Sequence, residues 1–150
     1  MKTIKLLTVL LMCGWLVSCN KGNSTTPSSA MSASVNGSGS ISFSASFSNN
    51  SGLITMQGSG SSYTIQLFMR LSGFGGTYTL GDPSTGYYAM VSDNFGTKYS
   101  TSASSIGQAV VTAGSSGGLY NGTFYFTATE TSPTAGGGTV NVSSGQFSNM

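Results

Sequence analysis

The sequence predicts an all-β fold, an antiparallel meander of about 9–10 strands forming a β-sandwich or a partly open barrel. Three observations carry the prediction. Apolar and polar residues alternate with a period of two in run after run beyond Met31. Turn clusters rich in Gly, Ser, Asn and Asp punctuate these runs at intervals of about ten residues. No window holds a 3.6-residue periodicity long enough for a crossover helix, so neighbouring strands must be joined by turns and run antiparallel.

The chain opens differently. Lys2 and Lys5 precede an apolar run from Leu6 to Val17, which ends at the small residue Ser18 just before Cys19. This is the layout of a signal peptide, expected over residues 1–18, and the run is shorter than the roughly 20 residues a membrane-spanning helix needs. Leu16-Val17-Ser18-Cys19 resembles the lipobox of bacterial lipoproteins. The resemblance implies that Cys19 is acylated and becomes the new N-terminus. An ordinary signal peptide followed by a disulfide does not fit, because Cys13 lies in the discarded run and no cysteine follows Cys19. One acyl chain gives an association constant of only about 10⁴ M⁻¹, so a stable anchor needs at least two chains. Residues 19–30 then form a lipidated N-terminus and flexible tether. Its Ser, Thr, Asn and Pro carry no apolar periodicity, and 11 residues behaving as a coil span roughly 18 Å.

Residues 31–150 are expected to be a single β domain. Short strands are expected at 32–37, 53–58, 76–81, 87–92, 96–101, 107–113 and 139–148. Between them lie three clearer ones. In "SISFSASFS", Ile41, Phe43, Ala45 and Phe47 share one face against five serines. In "YTIQLFMRL", Tyr63, Ile65, Leu67, Met69 and Leu71 point inward while Thr64, Gln66 and Arg70 point outward. In "GTFYFTATE", Phe124, Phe126 and Ala128 oppose Thr123, Tyr125, Thr127 and Thr129. Phe43, Phe47, Ile65, Leu67, Phe124 and Phe126 are the expected core.

With the strands placed, "MSASVNG", "GTYTLG", Tyr87-Tyr88, "KYST", "GTFYFTA" and "VNVSSGQFS" together resemble a family of functionally uncharacterised, β-rich lipoproteins of Bacteroidetes-type bacteria. Where that family usually carries a tryptophan soon after the first Asn-Gly, this chain has Phe43, which keeps an aromatic in the core. "AGSSGG" stands where the family usually has acidic residues. In bacteria of that type, surface export tends to follow acids just after the cysteine, and "NKGNSTT" has none. The implied location is therefore the outer membrane, facing the periplasm.

Composition narrows the function. Beyond residue 18 three basic residues (Lys21, Arg70, Lys98) balance three acids (Asp82, Asp93, Glu130). A neutral domain lacks the basic stripe that nucleic acid requires. There is no histidine, and the remaining cysteine is assigned to lipid, so neither a nucleophile–base pair nor a zinc site is expected, and no cofactor is implied. A carboxylate pair for glycoside hydrolysis is a remote alternative, because Asp82 and Asp93 sit in turns where acids cap the backbone. Aromatics are the remaining means of recognition. Tyr88 and Tyr125 fall on outward positions and Phe74 and Phe95 in loops, which makes these four the candidate ligand-binding residues. The expected role is a lipid-anchored, non-catalytic envelope protein that binds or displays a glycan or protein partner; a purely structural lipoprotein is the alternative.

Overall fold

The computed structural model describes residues 28–70, 75–113, 119–132 and 137–150. The sequence-expected positions Cys19, Leu71 and Phe74 lie outside them. Among the described residues, ten strands form one antiparallel sheet: β1 (Ala30–Val35), β2 (Ile41–Asn50), β3 (Leu53–Ser59), β4 (Tyr63–Arg70), β5 (Gly75–Leu80), β6 (Tyr88–Asp93), β7 (Lys98–Ser100), β8 (Gly107–Ala113), β9 (Tyr120–Glu130) and β10 (Thr139–Ser148). A single 3₁₀ turn, Pro83–Thr85, is the only helical element among the described residues.

Alternation becomes structure most plainly in β3 and β4. Ile54, Met56, Ile65, Leu67 and Met69 are buried, while the residues between them are half-exposed. The β2–β3 hairpin closes over Ser51-Gly52, whose φ values of 51° and 86° are both left-handed. That matches a two-residue type I′ turn, which twists with the strands it joins.

The pairings return on themselves. From β1 the sheet runs through β2, β3, β4, β6 and β7 to β9, then through β10 back to β1. The departure from a simple meander is β5, which leaves β4 to pair with β8, while β6 comes back to pair with β4. Along one edge β9 meets β10; along the other it meets β8 through Tyr120–Phe126 and β7 through Thr129–Glu130. The resulting ring agrees with a sandwich or partly open barrel. A bulge at Ser143–Ser144, with Ser144 at φ 51°, shifts the register of β10 against both its neighbours and bends the strand where the ring curves.

The core fills the inside of this ring. Of the expected core residues, Phe43, Ile65, Leu67, Phe124 and Phe126 are buried. Phe47 is half-buried and stacks on Tyr120 at 5.7 Å between centroids. Tyr63 packs half-buried against the core, and the chain's last residue, Met150, is buried too. Gly107 is required by close approach: a Cβ there would lie 2.2 Å from both Tyr125 O and Phe126 Cβ.

Where β6 diverges from β5, one buried side chain closes the fork. The Thr101 hydroxyl donates to Gly81 O (2.7 Å) and accepts from Ala89 N (3.0 Å), and Thr101 N donates to Ala89 O (3.0 Å). Thr101→Val keeps the shape but leaves the buried Ala89 N–H and the part-buried Gly81 C=O without their partner, so it should destabilise the domain by about 1–3 kcal/mol. Phe126→Ala should cost about 3–5 kcal/mol by loss of buried area and cavity formation. Denaturant midpoints at constant slope measure both.

Candidate functional site

The ring has two ends with different chemistry. At one, the chain enters: Ser29 Oγ donates to Asn149 O (2.7 Å), and Tyr120 and Met150 exchange backbone hydrogen bonds of 2.8 and 3.0 Å. At the other end lie the β6–β7 turn, the start of β7 and the end of β9. Of the five charged residues described, three gather at this far rim: Asp93, Lys98 and Glu130. Arg70 and Asp82 lie elsewhere.

Asp93 builds the rim. Its Oδ1 accepts from Phe95 N (2.9 Å) and Thr97 N (2.8 Å), while Asp93 N donates to Thr97 O (3.0 Å). Gly96, at φ 87°, donates to Asp93 O, and Asn94 N donates to Ser62 O in the neighbouring turn. This pins a five-residue turn whose tip, Phe95, is 89% exposed. Such a ring is preorganised as a stacking platform, since its backbone is already ordered.

Beside Phe95 is a cleft of about 320 Å³, lined by Gly96, Thr97, Lys98, Glu130, Thr131 and Ser132 as well. Thr131 holds its far wall, with both N and Oγ1 donating to Lys98 O at 2.9 and 3.1 Å. Glu130 continues the inward face of Phe124, Phe126 and Ala128, and so reaches the mouth of the ring opposite Tyr99. Lys98, one residue off in register, is exposed on the outer side. Neither Lys98 nor Glu130 makes an ion pair among the described residues. Among the described residues, the cleft therefore offers one cation and one carboxylate without an ion-pair partner, threonine hydroxyls and an aromatic face.

Two other hollows are chemically plainer. A groove of about 530 Å³ crosses β2, β1, β10 and β9 near the chain entry, and its polar lining is Ser32, Ser42, Asn121, Thr123, Gln146 and Ser148, without charge or an exposed ring. A hollow of about 350 Å³ lies along the β5 side of the fork, where Tyr78 and Tyr87 stack at 5.7 Å. Larger volume does not outweigh the aromatic and charged groups that converge at the rim.

Of the four aromatics singled out by sequence, Phe74 lies outside the described residues and the other three do not converge. Tyr88 is half-buried, stacked on Phe68 with centroids 4.3 Å apart and planes 7° apart. Phe68 is its direct cross-strand partner. Tyr125 is 55% exposed on the outer wall of β9, opposite Gln108. Five strand steps of about 3.3 Å separate Tyr88 from the rim end of β6, and β7 intervenes between β6 and the end of β9. Of these three, Phe95 alone sits in a cleft. Sequence reasoning left out its companion Lys98, and it considered Glu130 only as half of a catalytic pair; the signal joining them is the long-range pairing of Tyr99 with Glu130, which no local pattern contains. Asp82 behaves as a turn acid: hydrogen bonds from the Ser84 hydroxyl and then from Ser84 N, which donates at 2.8 Å, lower its pKa.

Burial, then the Asp93 and Glu130 carboxylates, raise the Tyr99 phenol above its ordinary value, and a hydrogen bond with Thr97 pulls the other way. Burial and neighbouring tyrosines likewise raise Tyr78. A raised folded-state pKa gives stability that is complete below the unfolded value of 10.0 and lost as pH climbs through the folded one. Urea midpoints should therefore hold steady up to about pH 9 and fall from about pH 10 upward, and the Tyr78→Phe, Tyr99→Phe double variant should flatten that fall. An equally steep fall in the double variant would contradict the assignment.

The family model for a domain of unknown function, DUF6252, matches residues 28–150. No curated protein matches the chain. No solved structure matches it. The match begins at the residue before Ser29, which ties the entering chain to Asn149, and it spans all ten strands to Met150. The chain belongs to the DUF6252 family of uncharacterised domains.

Proposed function

We propose that this protein is a lipoprotein anchored through Cys19 to the outer membrane, facing the periplasm, whose β domain binds an envelope glycan without catalysis. The observation that carries the reading is Phe95, 89% exposed on a pinned turn, beside Lys98 and Glu130, neither ion-paired among the described residues, at the end of the ring opposite the chain entry. An aromatic face packs against the C–H face of a sugar ring, and Glu130, Lys98 and Thr131 are placed to hydrogen-bond its polar edge. Bacterial lipoprotein origin rests on the Leu16-Val17-Ser18-Cys19 box after a short apolar run. Binding is favoured over hydrolysis because Asp82 and Asp93 are committed to their own turns, which leaves Glu130 without a second free carboxylate.

The anchored arrangement places the cleft away from the lipid. Ten steps of β9 at about 3.3 Å carry the chain roughly 33 Å from the entry end to the rim.

Cys19→Ala should leave the protein unprocessed or free of membranes, whereas an unmodified Cys19 thiol in the membrane-purified wild type would overturn the anchor. On arrays of glycans and cell-wall fragments, Phe95→Ala should weaken binding by about 2 kcal/mol, roughly thirtyfold. Tyr88→Ala should change it little. Binding that is indifferent to Phe95, Lys98 and Glu130 would move the site elsewhere, and no binding to any array member would favour the structural alternative.

A further inference from the structure

One wall of the ring has a composition the rim does not share. The outer faces of β5, β8, β9 and β10 carry no charged residue: the only one in these strands, Glu130, points to the mouth of the ring. Three of the four exposed large hydrophobics among the described residues lie together on this wall, Ile106 at 58%, Tyr125 at 55% and Val110 at 37%. Register makes them neighbours. Val110 faces Thr123, Gln108 faces Tyr125, and Ile106 O accepts from Thr127 N. Tyr125 thus sits diagonally between Val110 and Ile106, within reach of both. Exposed threonines surround them, Thr77 and Thr79 on β5 among them. The sequence signal was the adjacent pair Val110-Val111, which in a strand must send one valine outward.

We propose that this wall is where a second copy of the chain packs, side by side on the membrane. The proposal rests on the anchored reading above for its geometry. Every copy is tethered from the entry end, and β9 runs from that end to the rim. Anchors in one bilayer therefore set neighbouring rings upright and parallel, and a two-fold axis perpendicular to the membrane brings the same wall of each face to face. Such an interface is isologous. A wall without charge meets itself without like-charge repulsion, which a patch bearing Lys98 or the acids would not do.

Size decides when pairing happens. Four strands at about 4.8 Å and seven residues at about 3.3 Å give a face of roughly 19 by 23 Å. This is well short of the about 800 Å² per partner that stable interfaces bury, so the pair does not persist in dilute solution. Confinement to one membrane through a short tether supplies the missing effective concentration.

The test uses the full chain in its own membranes, with Thr123→Cys at the centre of the wall and Ser46→Cys on the exposed far wall, each treated with a short bis-maleimide. Wild type controls for any free Cys19 thiol. Thr123→Cys should give a homodimer about tenfold above Ser46→Cys, and adding Tyr125→Lys should return it to the control level. Membrane fractionation of the same samples reads the anchor separately. Protein in the membrane that cross-links no better at 123 than at 46 overturns the pairing and leaves the anchor standing. A species at 123 whose mass is not twice that of the chain assigns the wall to another protein and overturns the pairing. Homodimer at 123 in protein found free of membranes would overturn the anchor and the size argument, and keep the interface.

Discussion

Everything in this fold depends on β9 pairing along both edges. A sheet whose described residues include no α-helix must bury its apolar face on itself, and β9 lets it do so. Its Phe124, Phe126 and Ala128 face inward. One edge takes β10 and the other takes β8 and β7 in tandem, so a single strand closes the ring and carries the β5–β8 pair as well. The chain accommodates this with small devices: Gly107 where a Cβ would strike β9, the bulge at Ser143–Ser144 that bends β10, and Thr101 where β6 leaves its neighbours. Each addresses a local cost of curvature or of an unpaired backbone group.

Closure also separates the ends. Because β9 spans the full length, the residue that begins it is tied to the C-terminus beside the entering chain, and the residue that ends it is Glu130 at the rim. In a protein with almost no charge, gathering Asp93, Lys98 and Glu130 at one end is a concentrated use of it. Asp93 is spent on the turn that displays Phe95, and the other two remain available in the cleft.

Most of the strands were legible because burial with period two leaves a direct trace. Residues 107–113 and 139–148 match the observed strands at both ends. At the N-terminus the strand begins at Ala30, two residues before the expected start, because Met31 is inward and pairs with Phe43 and Phe147. What remained hidden was long-range pairing. Nothing local to "GGTYTL" says that it joins β8 in preference to β4, and nothing near Tyr88 says that Phe68 stacks on it. The functional candidates suffered most, because the outward rule identifies which side chains leave the core but not which of them meet.

If Cys19 anchors the chain as proposed, the cleft at Phe95 stands at the end of the domain farthest from the membrane. This central claim is tested most directly by energy transfer from a fluorophore to acceptors in the bilayer, attached in turn at Phe95→Cys and at Asn50→Cys, which lies near the entry end. The account predicts markedly weaker transfer from position 95, on the order of 30 Å farther from the lipid. Equal transfer from the two positions, or stronger transfer from 95, would contradict it.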